Sequence, residues 1–457
     1  MGSREISLKN VGVLIFLTVS IRVALLLAVG PQFEADTADY LSVSRILHET
    51  GTFSEIDSTT GQLTPYAYRM PLFHAFVAGL MKVFGVNIAW PLAFANIFFS
   101  VCAVLFSVAI MSSVAPPAAA LAAGYLMALN PNSIFNSVLL LTDSLFTFFC
   151  LLAILAGIQA LKRRSAAFFL LWGAAIGVCA MVKPILKYYW VVPPLLIALP
   201  LYAARWKEKA RYSALVILGI TVFLGPWIAR NRHQLGFTGL EVNEGVNTLI
   251  STIKFVRLST PEQAADDPEL AAVRDIVFAS YPDGPLAAEA AVRLRLGLTP
   301  ARTSAQLKRL GIEAILKNPG AYSLCWLRNV FNILTSPVAV MELTKRLSGK
   351  RPDYFPHILV ALRTLDWETL AVNLAPRLIL ALLFFVCAPL GFMLLWRAGE
   401  PGTKLSLLLL LSVIGYTVGL TAMVSGYDRY RLPLDPLLLG LAAAWLLSKF
   451  PRKQPQP

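Results

Sequence analysis

The sequence has 457 residues, of which 57% are hydrophobic and 14% are charged, and its formal net charge is +14. A soluble domain averages about 25% charged residues, so this composition and a mean hydropathy of +0.65 exclude an ordinary soluble protein. The basic balance would favour nucleic-acid binding only if the basic residues formed a patch outside the apolar stretches.

Apolar stretches of about 20 residues, the length of a membrane-spanning helix, recur along the chain. Helices are the expected spanning structure, because every backbone polar group must be paired in lipid. The sequence therefore predicts an all-α, polytopic membrane protein of about ten transmembrane helices. We place them near residues 11–30, 88–114, 117–136, 138–161, 166–183, 188–204, 212–230, 376–396, 405–424 and 432–448.

Basic residues concentrate at both termini and in one set of short connections. Fourteen basic residues against three acidic ones give these segments +11 of the total +14. Cytoplasmic loops carry such an excess, so we expect these segments to be cytoplasmic and nucleic-acid binding to be excluded. The basic residues are Arg4, Lys9, Lys162, Arg163, Arg164, Arg205, Lys207, Lys209, Arg211, Arg397, Lys404, Lys449, Arg452 and Lys453.

Two large segments then lie on the non-cytoplasmic side, which divides the chain into three parts. Residues 1–230 form an N-terminal membrane region with a first outer loop at 31–70. Residues 231–375 form a mostly helical outer segment, and residues 376–457 supply the last transmembrane helices and a basic cytoplasmic tail. The apolar stretches 71–85 and 321–341 are expected to lie in the interface, the first as an amphipathic helix.

Charged residues near the outer helix ends are candidates for function, because charge in lipid is costly. On the predicted topology these residues converge on one side of the membrane. They are Arg69, Asp143, Lys183, Arg230, Arg232, Arg429 and Arg431. Asp36, Asp39 and Tyr40 join them from one face of a predicted helix in the first outer loop. Each charge also has a structural explanation, as a solvated acid, a headgroup anchor or half of an ion pair.

Other polar residues give weaker signals. Arg22, inside the first predicted helix, is expected either to pair with an acid or to extend to the interface. His74, on an apolar stretch, is expected to be packed rather than catalytic. The histidines show no metal-ligand spacing and the five cysteines form no CxxC pair, so the sequence predicts no metal site and no disulfide framework. A divalent cation remains an optional cofactor.

Several short motifs resemble those of a known superfamily. They are Asp36 followed four residues later by Tyr40, "YRMPLF", "TDSLFTFF", "VKP", "PWIARNRHQLGF" with "NEGVNTL", and "DRYRLPLDPLLL". In this order the chain is similar to polyprenyl-phosphate-dependent glycosyltransferases of the GT-C superfamily, in the branch of protein O-mannosyltransferases and aminoarabinose transferases. The similarity covers roughly residues 11–250 and the C-terminal "RYRLPL" helix.

The resemblance implies roles for particular residues. Asp36 matches the acid that is the superfamily's candidate catalytic base, and Asp143 matches an acid at the outer end of a later helix. Arg69 matches a phosphate contact that precedes a proline, although Met70 separates it here from Pro71. Lys183 and the arginines are expected to bind the donor phosphate, and Asp39 and Tyr40 to contact substrate.

The resemblance implies a donor sugar linked through phosphate to a polyprenyl lipid and transfer to a hydroxyl-bearing acceptor. Inverting displacement would occur on the non-cytoplasmic face of a plasma or inner membrane. Because only three helices and a small basic tail follow the outer segment, the resemblance does not extend to the acceptor, which can be protein, lipid or glycan. Two alternatives remain open. One is a non-enzymatic flippase or transporter of lipid-linked sugars, and the other is a glycan ligase or polymerase using a diphosphate carrier.

Overall fold

A computed structural model describes residues 6–56, 61–258, 267–349 and 358–449. In the N-terminal half the helices are α1 (Leu8–Val29), α2 (Ala35–Thr50), α3 (Pro71–Phe84), α4 (Ala89–Ser112), α5 (Pro117–Ala128), α6 (Pro131–Asn136), α7 (Asp143–Arg163), α8 (Ala166–Val182), α9 (Val192–Ala198) and α10 (Trp206–Leu235). In the C-terminal half they are α11 (Glu244–Leu258), α12 (Pro268–Ser280), α13 (Pro285–Leu296), α14 (Pro300–Lys317), α15 (Pro319–Thr335), α16 (Val338–Ser348), α17 (Ile358–Thr364), α18 (Trp367–Ala398), α19 (Pro401–Ala422) and α20 (Asp435–Ser448). The predicted all-α membrane fold is confirmed.

The predicted count of about ten spans is not confirmed. Among the described residues, six helices are long and apolar enough to cross a bilayer, namely α1, α4, α7, α10, α18 and α19. The helices α15 and α16, bent by 52° at a short break, would make a seventh span if they form one. Prolines explain part of the difference, since Pro131 begins a new helix inside the predicted span 117–136. The predicted span 188–204 overlaps a 3₁₀ stretch, Pro184–Val191, followed by the short α9.

Small residues let helices in the membrane region approach closely. A Cβ atom on Gly173 of α8 would lie 2.0 Å from the Val216 carbonyl oxygen of α10, and one on Gly219 would lie 2.5 Å from the Leu170 carbonyl oxygen. Such contacts between small residues are a main source of helix association in membranes, where lipid removes the hydrophobic driving force. These contacts pack the middle of α8, the helix that Lys183 caps, against α10.

The outer segment has a hydrophobic core separate from that of the membrane helices. Its fully buried side chains include Leu249 of α11, Val273 of α12, Val292 of α13 and Leu307 of α14. Helix α14 begins with Thr299, whose hydroxyl accepts from the Arg302 backbone N–H, an N-cap typical of helix starts. These four helices pack together beside the cavity described below.

The first outer loop consists of α2 and a short antiparallel hairpin. Strands β1 (Ser54–Ile56) and β2 (Leu63–Pro65) pair with Glu55 opposite Thr64. Helix α3 follows, and His74 is completely buried on it, with Nδ1 3.3 Å from the Tyr40 carbonyl oxygen. His74 is therefore packed, as predicted.

Arg22 is buried in α1, and its partners differ from both predicted alternatives. Its guanidinium donates to the hydroxyls of Ser100 and Ser133, at 2.7 and 2.8 Å, and to the Ala128 carbonyl oxygen at 3.0 Å. Among the described residues it pairs with no acid, and its side chain is fully buried rather than extended. Neutral oxygens from α4, α5 and α6 satisfy this buried cation instead.

Candidate active site

Arg69 holds two acids of α2. Its Nη2 donates to Asp36 Oδ1 at 2.9 Å, and its Nε donates to Asp39 Oδ2 at 2.7 Å. The Tyr66 hydroxyl also donates to Asp39 Oδ2, at 2.8 Å. The guanidinium lies 4.9 Å from the centre of the Tyr40 ring, a cation–π contact. The helical spacing that put Asp36, Asp39 and Tyr40 on one face of α2 thus brings all three to one arginine.

Asp36 has a second arginine partner. Both terminal nitrogens of Arg429, from the segment before α20, lie 3.4–3.5 Å from Asp36 Oδ2. Burial alone raises the pKa of Asp36, but the charges of Arg69 and Arg429 outweigh this effect, and the net pKa lies below its usual value. The carboxylate is therefore ionised and is held by two cations from distant parts of the chain.

A second ion pair faces the same space. Lys183, at the end of α8, donates to Asp143 Oδ1, at the start of α7, over 2.5 Å. Asp143 is only 3% exposed, and no residue that the structure describes forms a hydrogen bond with its Oδ2 atom. The ammonium of Lys183 also lies 5.7 Å from the centre of the Tyr430 ring. A carboxylate in the first turn of a helix is favoured by the helix dipole.

These residues line one cavity of about 540 Å³. Six of the ten predicted site residues lie on its wall, namely Asp36, Tyr40, Arg69, Asp143, Lys183 and Arg429. Apolar side chains of α14 and α19, such as Ile312, Ile315 and Leu420, line it as well. A ligand with a charged head and an apolar tail suits such a mixed wall.

The other four predicted residues lie outside this cavity. Arg230 donates to the carbonyl oxygens of Tyr66 and Phe53 and so braces the hairpin. Arg232 is exposed. Arg431 is buried and pairs with Asp435 at 2.7 Å. Asp39 lines a second cavity of about 420 Å³.

The sequence reasoning missed a second ionic cluster on the cavity wall. Glu244, at the start of α11, pairs with Lys187 and, at 2.7 Å, with Lys308 of α14. Glu241 lines the cavity beside them. Lys187 follows Lys183 by four residues in "VKPILKYYW", and both acids lie in or beside "NEGVNTL", so the motifs were found but these charges were not singled out.

Metal binding has no clear ligand set here. Within the described ranges, no group of three or more His, Cys, Asp or Glu side chains is arranged to hold a metal ion. Asp36 and Asp143 are instead neutralised by Arg69, Arg429 and Lys183. The cavity therefore offers cations of the protein itself to an anionic ligand.

Comparison with known proteins agrees with the resemblance predicted from the sequence. Residues 68–228 match the family model described as dolichyl-phosphate-mannose-protein mannosyltransferase. This segment contains Arg69, Asp143 and Lys183. No curated protein matches the chain.

Solved structures extend the likeness to the whole fold. The oligosaccharyltransferase AglB from Archaeoglobus fulgidus, in complex with an inhibitory peptide and a dolichol-phosphate, superimposes with a TM-score of 0.54 at 14% sequence identity. The match covers 96% of this chain and 50% of AglB. The chain therefore shares its fold with the matched part of this oligosaccharyltransferase.

Two further solved structures match the chain. The apo form of the same oligosaccharyltransferase gives a TM-score of 0.52 at 14% identity, with 96% of this chain and 50% of that chain covered. ArnT from Cupriavidus metallidurans, bound to undecaprenyl phosphate, is 15% identical over 96% of this chain and 78% of its own, but with a TM-score of 0.39, too low to support a structural argument. The chain spans about half the length of the oligosaccharyltransferase.

Proposed function

We propose that this protein is a membrane glycosyltransferase that moves a sugar from a polyprenyl-phosphate carrier to an acceptor hydroxyl on the non-cytoplasmic face. The observation that carries the proposal is the position of Asp36, a carboxylate on the wall of the cavity between Arg69 and Arg429. The family match over residues 68–228, to a family described by a dolichyl-phosphate-mannose donor, supports the same donor class.

The cations of the cavity suit the phosphate of the donor. Arg69, Arg429 and Lys183 present three positive charges to one cavity, and arginine is well matched to phosphate by its planar pair of donors. When the carbon–oxygen bond between sugar and phosphate breaks, the leaving polyprenyl phosphate gains negative charge. Cations already in position stabilise that charge in the transition state.

Asp36 is the proposed general base. It accepts the proton of the acceptor hydroxyl while the hydroxyl oxygen attacks the anomeric carbon, and polyprenyl phosphate departs from the opposite side, so the anomeric carbon inverts. The pKa of Asp36 is lowered by its two arginines, which weakens it as a base. A donor phosphate that draws those arginines away raises the pKa of Asp36 again, so donor binding would activate the base.

Asp143 has a supporting role in this scheme. Its free Oδ2 atom can accept a hydrogen bond from a hydroxyl of the sugar or acceptor, while Oδ1 keeps Lys183 in place. The apolar wall formed by α14 and α19 suits the lipid tail of the donor, which must remain in contact with the bilayer. An active site beside the membrane surface is therefore required for such a substrate.

The test is transfer by the purified full-length protein in lipid nanodiscs. Radiolabelled sugars on polyprenyl monophosphate are offered with serine and threonine peptides, a glycolipid and a polysaccharide as acceptors. We expect label on one acceptor class with release of polyprenyl phosphate, and loss of both with Asp36→Asn. A parallel reaction with a chelator tests the optional divalent cation.

The rival functions give different results. Transport of the lipid-linked sugar across vesicles, with no release of polyprenyl phosphate, would show a flippase instead. Transfer from a diphosphate-linked glycan but not from any monophosphate donor would show a ligase or polymerase.

A further inference from the structure

Glu241 is fixed next to the arginine that holds the proposed base. It lies between α10 and α11, and the backbone N–H of its neighbour Val242 donates to the Ala67 carbonyl oxygen at 3.0 Å. That bond ties the segment to the loop carrying Arg69. Glu241 lines the same cavity as Asp36, and the charges of Arg69, Lys187 and Glu244 all act on its carboxyl group. Glu241 is therefore close enough to both ionic clusters of the cavity to feel their charges.

Within the described part of the chain, the carboxylate of Glu241 is unpaired. Lys187 and Lys308, the lysines of the second ionic cluster, both bind Glu244. Among the described residues, none forms a hydrogen bond or ion pair with the Glu241 side chain, which is only partly exposed. Burial raises its pKa to about 7, with Glu244 adding to the effect and Lys187 and Arg69 opposing it. An enclosed carboxyl group without a partner is costly, and a bound ligand would relieve that cost.

The spacing of two lysines on the cavity wall suits a sugar ring. Lys183 and Lys187 are four residues apart around a 3₁₀ stretch, which at about 2 Å per residue separates their backbones by about 8 Å. With the donor phosphate at Lys183, the sugar attached to it reaches toward Lys187 and Glu241. The side chains of Asn243, Asn247 and Tyr188 line the same wall and offer further hydrogen bonds to hydroxyls.

We infer that Glu241 binds hydroxyl groups of the donor's sugar and makes the cavity selective for an uncharged, hydroxyl-rich sugar. The inference deepens the proposed function and rests on it. A carboxylate accepts hydrogen bonds from hydroxyls and binds them more strongly than a neutral acceptor does. Glu241 and Glu244 together balance the charges of Lys187 and Lys308, so an anionic sugar such as a uronic acid would meet no net positive charge here and would face the unpaired carboxylate of Glu241.

The experiment compares two lipids on the full-length protein in nanodiscs. One is polyprenyl phosphate carrying an uncharged hexose, and the other is polyprenyl phosphate without a sugar. Glu241→Ala should weaken binding of the sugar-bearing lipid about 10- to 150-fold, the range for losing a hydrogen bond to a charged group. It should leave binding of the bare lipid unchanged. Glu241→Gln, which keeps the size of the side chain, should give a smaller loss of the same kind.

Binding of the bare lipid is also the control for folding, and Glu289→Gln is the matched control variant. Glu289 is likewise a carboxyl group whose pKa is raised by burial, but it lines the second cavity and not the first, so its variant should bind both lipids as the wild type does. If Glu241 variants weaken both lipids equally, or neither, the inference is wrong while the proposed function stands. If the wild-type protein binds neither lipid, both are wrong.

The preference between a charged and an uncharged donor sugar is a second, independent test of the same variants. A polyprenyl-phosphate uronic acid should bind the wild-type protein more weakly than the hexose donor. Glu241→Gln should narrow that difference, because it removes the negative charge that opposes the acid. Equal binding of the two donors by the wild-type protein would contradict the assigned selectivity.

Discussion

Lys183 and Asp143 meet across the ends of two helices, with Nζ of the lysine 2.5 Å from Oδ1 of the acid. Both side chains are largely buried, at 14% and 4% exposure. This pair lines the same cavity as Arg69, Arg429 and the second ionic cluster. It therefore has a structural role and a proposed donor-binding role, and these need separate tests.

The first prediction separates the structural role of this ion pair from its proposed role in donor binding. Lys183→Ala should lower donor affinity by about 10- to 150-fold, and it should also lower stability by about 3–5 kcal/mol, because it leaves a buried carboxylate unpaired. Adding Asp143→Asn to Lys183→Ala removes the unpaired charge and should restore most of the stability but not the affinity. Donor titration and thermal unfolding in detergent measure the two effects, and an affinity that recovers with stability would exclude a direct phosphate contact.

The second prediction is that Asp36, not Asp39, is the essential acid. A positioned base contributes about 10²- to 10⁴-fold to the rate, so Asp36→Asn should reduce turnover by that order while donor binding persists. Asp39 lines the other cavity, and its carboxylate accepts from Tyr66 and Arg69, so Asp39→Asn should reduce turnover less. Transfer rates at saturating donor measure both. An active Asp36→Asn protein beside an inactive Asp39→Asn protein would reverse the assignment.

The third prediction is a pH dependence from Glu241. Its pKa is raised to about 7, so the ionised form that binds sugar hydroxyls is present above pH 7 and is lost as the pH falls. The KM for a sugar-bearing donor should therefore rise below about pH 7. Lys187 of the 3₁₀ stretch, Glu244 of α11 and Arg69 of the first loop are the charged groups that act on it. Glu241→Gln should abolish this rise of KM below about pH 7. If the rise is unchanged in that variant, another titrating group causes it.

The fourth prediction concerns topology. A cysteine introduced at Glu55 should react with a membrane-impermeant thiol reagent from the non-cytoplasmic side, and cysteines at Lys162 and Lys207 should not. Positions 162 and 207 belong to the basic connections, which the positive-inside rule keeps in the cytoplasm. Intact and opened vesicles distinguish the two sides. Labelling at position 55 only from the cytoplasmic side would remove the basis of the active-site proposal.

Sequence reasoning found the residues whose positions depend on helix ends. Long apolar stretches locate those ends, and the alternation of basic connections assigns them to one side, so the convergence of Asp36, Asp143 and Lys183 could be predicted. Arg429 and Arg431 show the limit. They are two residues apart, yet the first faces Asp36 and the second pairs with Asp435. Only the packing around the 3₁₀ turn Asp428–Arg431 decides which arginine faces Asp36 and which one pairs with Asp435.

Two other features were hidden for physical reasons. The prolines of the segment after Lys183 break a stretch that is apolar enough to resemble a span, so its true shape depends on tertiary contacts. Glu241 and Glu244 lie in and after a loop of a polar outer segment, where acidic residues are common and usually solvated. Only the cavity that both residues line marks them as candidate site residues.

Arg22 has a consequence for the order in which the protein assembles. A cation near the middle of a single inserted helix costs about 2.5–3.5 kcal/mol, and α1 leaves the ribosome before α4, α5 and α6. One of the hydroxyls that satisfies it, that of Ser133, is made 111 residues later. Helix α1 must therefore either enter the bilayer with the guanidinium of Arg22 unsatisfied or remain beside the translocon. Its insertion is complete only when α4, α5 and α6 have been made and supply the oxygens.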